Sequence, residues 1–235
     1  AFTTSDSLPL GSPNPDEVMD ADELAARMTP IVSRFFEKDA PEVIVVDNLS
    51  ANALAGPRAI RLRRGAVFTP HDLQQLVQHE AFIHVATSLN GRAQEHLPLL
   101  AGGHPGTTRT QEGLAVFSEM ITGAMDPARL RRLADRVIAI QMSMDGADFL
   151  DLYQYFLERG NGEGQAFECA RRVVRGGLMT GGAPFTKDVV YLEGLLKVTN
   201  FLRATVQFGR LDCLHLMFAG KLDIKDLPAL IMLAE

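Results

Sequence analysis

Hydrophobic residues first recur at helical spacing between about Ala21 and Lys38. This spacing predicts an amphipathic helix whose apolar face is formed by Leu24, Met28, Val32 and Phe35. Pro30 lies inside the segment and is expected to kink or split the helix. The preceding residues 1–20 are rich in Ser, Pro, Gly and Asp, a composition that predicts a flexible N-terminal segment.

The hydrophobic pattern then changes to one typical of short strands, at Glu42–Asp47 and Ala59–Arg64. In the second segment, Ile60 and Leu62 alternate with basic residues, as expected of a strand with one face in water. The GAVFT segment that follows is a candidate third strand. These segments together predict a small sheet.

From Thr69 onward the pattern is mostly helical. Thr69 is a suitable N-cap for a helix that begins with a proline, and this helix should end near Asn90–Gly91, where the glycine suits a left-handed C-cap. Later helices are predicted from Thr110 to about Gly123, from Asp126 to about Asp145, and in DFLDLYQYFLER, AFECARRVV and FTKDVVYLEGLLKVTNFLRATVQF, with two shorter ones at the end. We therefore expect an α+β fold, a small sheet followed by a mainly helical body, in a single domain over residues 21–235.

Composition limits the kinds of binding partner and the cellular compartment that we expect for this protein. The 235 residues carry a formal net charge of -6, with a pI near 5.5, which argues against a nucleic-acid or anionic-membrane partner. No run approaches the ~18 apolar residues of a membrane span, and no charged and then apolar leader precedes the domain. Two cysteines cannot form a disulfide framework and suit a reducing compartment, so we expect a cytoplasmic protein.

The segment HEAFIH contains the first candidate chemistry, namely His79, Glu80 and His84. On a regular helix, residues five apart point about 140° away from each other, so the two histidines could not share an ion. A π-bulge brings such residues to nearly one face, and these bulges are frequent at functional sites. Considered alone, the three residues favour a metal site and a coincidence equally. If both histidines are ligands, the helix should contain a π-type bulge across Ala81–Ile83.

Neighbouring residues make a metal site more plausible. A backing of apolar residues indicates that this part of the helix is partly buried: Leu73, Leu76, Val77 and Ile83. A buried His-Glu-His cluster is expensive without a partner, and a cation is the usual one. Zinc would need a third ligand. The candidate is Glu112, because Gly113 after it would let another chain or an ion approach closely, although a solvated residue at a helix start remains an alternative. The other histidines lie at a helix start or in loops and are less favoured: His71, His96 and His104.

Several segments together resemble a known family. HEAFIHVATSLNG, PGTTRTQEGLAVFSEM, RRVVRGGLMTGGAPFTKDVVYLEGL and HLMFAGKLDIKDLPAL are similar to the QEGLA-motif proteins. The bacterial members are described as modulators of flavohaemoglobin expression, and the eukaryotic relatives are the microtubule-associated tyrosine carboxypeptidases. The resemblance runs from about residue 20 to the end. Family members usually carry a further helical region upstream, which we expect this chain to lack.

The resemblance implies a zinc metallopeptidase of carboxypeptidase type, on a zincin-like scaffold with one Zn²⁺ ion. By this resemblance His79, His84 and Glu112 are the metal ligands, and Glu80 is the catalytic glutamate. It also implies a peptide or protein substrate. Since a carboxypeptidase must hold the terminal carboxylate of its substrate, cationic side chains are expected near the site.

Candidates for carboxylate binding are Arg172 and Arg175, which are three residues apart and share a helical face. The alternative is a basic helix end that stabilises its own carbonyls. Lys187 is a further candidate, and Tyr191, four residues on, could donate a hydrogen bond to the tetrahedral oxyanion or simply pack.

Other functions fit the same residues. One is a regulatory or binding protein in which zinc only stabilises the fold, and another is a metal-dependent hydrolase of non-peptide amides. Glu119, on the same helical face as Glu112, is expected to be a structural glutamate rather than part of the chemistry.

Overall fold

The computed structural model describes residues 17–234, which form two compact units that divide between Leu89 and Asn90. The segment predicted to be flexible, 1–20, lies mostly outside the described residues. At its end, Met19 is buried and forms a β-bridge with Phe68. The prediction of one catalytic domain over residues 21–235 stays a prediction.

The first unit begins with helix α1, Ala21–Phe36, followed by a 3₁₀ turn, Glu37–Asp39. Asp20 caps α1, because its carboxylate accepts a hydrogen bond from the Glu23 amide at 2.8 Å. The helix continues through Pro30. Three residues of the predicted apolar face are fully buried, namely Leu24, Met28 and Val32, whereas Phe35 is half exposed.

The sheet has three strands: β1 (Glu42–Val46), β2 (Ala53–Ala55) and β3 (Ala59–Arg63). Their order is β1-β3-β2, with β1 parallel and β2 antiparallel to the central β3. Two of the predicted strands are therefore confirmed, and β2 was missed. The GAVFT segment forms no strand; its Phe68 makes only the bridge to Met19.

The central strand determines how the sheet meets the helices. Ile60 and Leu62 are fully buried and Arg61 between them is exposed, which confirms the predicted alternation. The core of this unit joins them to residues of α1 and of the helix after the sheet, among them Met28, Val77, Ala81 and Val85. A small mixed sheet in a mostly helical structure confirms the α+β class.

A continuous helical stretch follows the sheet and is made of three parts: α2 (Pro70–Leu76), a π-helix (Val77–Val85) and α3 (Ala86–Arg92). Thr69 and Asp72 form a reciprocal capping box at its start, as the sequence predicts. The predicted left-handed cap at Gly91 is wrong. The helix continues to Arg92, and a Cβ at Gly91 would lie 2.1 Å from the carbonyl oxygen of Leu100, so the glycine is needed for close packing.

Loss of the cap should weaken this helix measurably. Thr69→Ala is expected to lower the free energy of unfolding by about 1 kcal/mol, because it removes the hydroxyl that binds the Asp72 amide. Thr69→Ser keeps the hydroxyl and should retain most of the stability. Urea unfolding followed by circular dichroism measures both variants. Equal stability of the two would show that the cap contributes nothing.

The second unit is helical. Its longer helices are α4 (Pro105–Ile121), α5 (Pro127–Met144), α6 (Phe149–Glu158), α7 (Glu163–Val174) and α8 (Val189–Gln207), followed by the shorter α9 (Leu211–Leu216) and α10 (Leu227–Ala234). The prediction that α4 begins at Thr110 is wrong. It begins five residues earlier, after His104, whose Nδ1 accepts a hydrogen bond from the Gly106 amide at 3.2 Å. None of the helices between residues 17 and 234 is long and apolar enough to cross a membrane.

Helices α4 and α8 pack at a glycine contact. A Cβ at Gly113 would lie 2.3 Å from the carbonyl carbon of Gly194, and a Cβ at Gly194 would lie 2.2 Å from the carbonyl oxygen of Arg109. The two backbones can approach this closely only because neither residue carries a side chain. This confirms the expectation that Gly113 lets another segment of backbone come near, and that segment is α8.

Candidate functional site

The two histidines of HEAFIH lie on the π-helix, Val77–Val85. In a π-helix the hydrogen bonds join residues five apart, so His79 and His84 come to the same face. Their ring centroids are 4.8 Å apart and the rings are nearly perpendicular, at 82°. The predicted distortion is therefore confirmed, and it extends over nine residues rather than the three of Ala81–Ile83.

Two hydroxyls stabilise the return from π-helix to α-helix. The Thr87 hydroxyl donates to the carbonyl of Ile83 at 2.7 Å, and the Ser88 hydroxyl donates to the carbonyl of His84 at 2.6 Å. Both side chains are buried. Carbonyls whose helical hydrogen bonds are altered by the wider turn thus gain further donors, which helps to hold this unusual geometry in place.

Glu80 lies on the same helix and is also buried, with 9% of its surface exposed. The backbone amide of Ala55, on strand β2, donates a hydrogen bond to its Oε2 at 2.8 Å. The apolar backing predicted for the helix is present, since Leu73, Leu76 and Ile83 are buried. One oxygen of the Glu80 carboxylate is thus held by a strand of the sheet.

Glu112 lies in the third turn of α4, and not near the start of the helix as predicted from the sequence. It is half-buried, and Lys187 Nζ lies 3.8 Å from its Oε1. Burial lowers the pKa of Lys221, the charge of Arg92 lowers it further, and the Glu112 carboxylate opposes both effects. Glu112 therefore lies in a cationic part of the second unit.

Three of these residues carry donor atoms that can bind a metal ion: His79 and His84 in the first unit and Glu112 in the second. Two imidazole nitrogens and one carboxylate oxygen are ligands that zinc accepts, and three protein ligands are typical of catalytic zinc sites. His104, one of the less favoured alternatives, has a different task as the cap of α4.

The predicted carboxylate-binding residues occupy different surroundings. Arg172 forms an ion pair through its Nε with the buried Asp188, and its Nη2 donates to Oδ1 of Asp188 at 3.0 Å. Burial alone would lower the pKa of Arg172, but the hydrogen bond and charge of Asp188, together with Tyr191, outweigh it and raise the pKa. Arg136 Nη1 lies 3.3 Å from the same carboxylate. Two arginines therefore share one buried aspartate, an arrangement that no sequence motif indicates.

Arg175 and Lys187 are less enclosed. The guanidinium carbon of Arg175 lies 4.3 Å from the ring centroid of Phe185, a cation–π contact. Lys187 belongs to the 3₁₀ turn Thr186–Asp188, and half of its side chain is exposed. Tyr191 follows in the first turn of α8 and interacts with Arg172. The roles proposed for these residues in substrate binding remain predictions.

Glu119 has the structural task that the sequence predicts. It is fully buried in α4 and forms a two-point ion pair with Arg129, whose Nη2 donates to Oε1 at 2.7 Å. The ion pair joins α4 to α5, and removing either partner would leave an uncompensated buried charge.

The first unit of this α+β protein therefore contains a candidate metal-binding helix, with paired histidines and the buried Glu80 beside them. The chain belongs to the microtubule-associated tyrosine carboxypeptidase family, which matches residues 5–235. No curated protein matches the chain. The family relation expected from the sequence is confirmed, and it supports an enzyme of the carboxypeptidase class, whose substrates are peptides or proteins.

Proposed function

We propose that the chain is a zinc-dependent carboxypeptidase on a zincin-like scaffold, with one zinc ion bound by His79, His84 and Glu112. The observation that carries the proposal is the π-helix, which brings the two imidazoles to one face. A nine-residue π-helix is rare, and such distortions are found mostly where function requires them. Family membership over residues 5–235 supports the same class of reaction.

In the proposed reaction, water adds to the carbonyl carbon of the last peptide bond, and the carbon–nitrogen bond breaks. When bound, a zinc ion supplies Lewis-acid activation of the water and of the carbonyl. Glu80 takes a proton from the water and delivers it to the departing nitrogen, so the products are a shortened peptide and a free amino acid. Its burial and its hydrogen bond from Ala55 suit a group that must stay in one orientation.

The substrate is proposed to be a peptide or protein whose terminal carboxylate binds the cations before and within the turn at Thr186–Asp188. Arg172, Arg175 and Lys187 are the candidates. Arginine forks bind carboxylates at two points, but part of the Arg172 fork already binds Asp188. Arg172 would therefore contribute its remaining N–H groups, and the more exposed Lys187 its whole ammonium group.

Tyr191 is the proposed donor to the oxyanion that forms when water adds to the carbonyl. Its interaction with Arg172 orients the phenol, and a donor fixed before the reaction stabilises developing charge without reorganising. Both cysteines are free and buried, which suits the reducing cytoplasm proposed as the compartment.

Metal analysis of the purified chain tests the centre directly. We expect one zinc ion per chain by mass spectrometry of the metal, and loss of most of it in His79→Ala, because two remaining ligands bind zinc weakly. His215→Ala, which changes an exposed histidine on α9, is the matched control and should keep its zinc. A wild-type chain without zinc, or equal zinc in both variants, would contradict the proposed ligands.

A further inference from the structure

We propose that the backbone amide of Ala55, at the sheet edge, is a positioning group for Glu80. This inference rests on the proposed function, since it assigns a task to the amide in the same reaction. The observation is the hydrogen bond of 2.8 Å from the Ala55 amide to Oε2 of Glu80, which joins strand β2 to the π-helix within the first unit.

The geometry of the sheet explains why this amide is available. In an antiparallel pair, hydrogen-bonded and non-hydrogen-bonded residue pairs alternate. The Arg63 amide donates to Asn52 at 2.9 Å, and the Gly56 amide donates to Ala59 at 2.8 Å, so both of these are hydrogen-bonded pairs. Between these two pairs, Leu54 is in a hydrogen-bonded pair with Arg61, whereas Ala53 and Ala55 are in non-hydrogen-bonded pairs. Ala53 and Ala55, in the non-bonded pairs, therefore point their amides away from β3, toward the free edge.

Because β2 is an edge strand, amides that point away from β3 need a partner other than a strand. The strand order places β2 at an edge, so among residues 17–234 the outward amides have no further strand as a partner. An unpaired amide at an edge binds water or a side chain. At Ala55 the partner is the buried carboxylate of Glu80, an acceptor with a full charge when ionised, and such hydrogen bonds are roughly twice as strong as neutral ones.

The hydrogen bond gives the two oxygens of the Glu80 carboxylate different roles. Oε2 is held by the strand, which leaves Oε1 as the oxygen that receives the proton of the attacking water. Without the amide, the glutamate side chain regains rotational freedom about its own bonds. A small misplacement of a catalytic group can cost about a hundredfold in rate. Ala55 is thus a positioning residue that acts through its backbone.

Proline substitution removes the amide while the strand is kept. Ala55→Pro deletes the donor at an edge position that faces away from β3, where proline is tolerated. We expect kcat to fall by about 10- to 100-fold, with KM and zinc content nearly unchanged. Ala53→Pro is the matched control, since its amide faces the same edge two residues from the contact, and it should keep the wild-type kcat. Equal kcat in the two variants would overturn the inference.

A second variant covers the case in which Ala55→Pro does not fold. Replacing the amide of Ala55 by an ester, introduced by semisynthesis, removes only the N–H and should give the same fall in kcat. An ester protein with wild-type kcat would overturn the positioning role.

Hydrogen exchange tests the contact without any activity. The Ala55 amide should exchange more slowly than the Ala53 amide in the wild-type chain. In Glu80→Ala it should lose this protection, whereas Glu80→Gln keeps an acceptor oxygen and should retain it. Exchange at Ala55 that is unaffected by Glu80→Ala would overturn the inference. If the contact is present but the wild-type chain cleaves no peptide, then it is the proposed function that fails.

Discussion

Glu80→Gln is expected to lower turnover by about 10²- to 10⁴-fold while the chain keeps its zinc. The substitution preserves the size of the side chain and an acceptor for the Ala55 amide, so the local structure should be unchanged. What it removes is the ability to take a proton from water. Glu80 is not among the three proposed ligands, so its replacement leaves the metal donors complete.

The measurement pairs a release assay with metal analysis. Peptides with different C-terminal residues are incubated with the zinc-loaded chain, and the free amino acid is quantified. Glu95→Gln, which changes an exposed glutamate, is the control and should keep full turnover. Wild-type activity in Glu80→Gln would show that this residue is not the base. A chain that binds zinc through these ligands but releases no amino acid from any peptide would favour the alternative of a structural zinc site.

The spacing in HEAFIH was enough to predict an unusual piece of structure. Because a regular helix separates residues five apart, a shared ligand role for His79 and His84 demands a wider turn, and the π-helix provides it. The extent of the distortion was not predictable. It depends on tertiary features such as the burial of Thr87 and Ser88, whose hydroxyls bind carbonyls of the last turn.

Other parts of the site left no pattern in the sequence. Strand β2 has three residues, too few to show an alternation, and the group that binds Glu80 is a backbone amide, which every residue except proline carries. The start of α4 was missed because AGGHPG has the composition of a loop, although His104 acts as a cap. Asp188 is buried between Arg136 and Arg172, residues far from it in sequence, so only the fold reveals their relation.

Gly113→Ala is expected to lower the free energy of unfolding by about 2 to 3 kcal/mol. The added Cβ would lie 2.3 Å from the carbonyl carbon and 2.4 Å from the carbonyl oxygen of Gly194. Both atoms belong to the backbone of α8, so no side chain can turn aside and the two helices must separate. Alanine is favoured over glycine in a helix by about 1 kcal/mol, but this gain is smaller than the cost of forcing packed helices apart.

Gly164→Ala is the matched control, because Gly164 also lies within a helix, α7, and nothing lies within 4 Å of its added Cβ. There the helix preference acts alone and should raise stability by up to about 1 kcal/mol. Urea unfolding of both variants gives the comparison. Glu112 is a proposed ligand next to Gly113 and moves with this turn of α4. Zinc affinity should therefore also fall in Gly113→Ala and not in Gly164→Ala. Equal stability of the two variants would show that α4 and α8 do not meet at these glycines, and the packing that we infer to fix Glu112 would then be wrong.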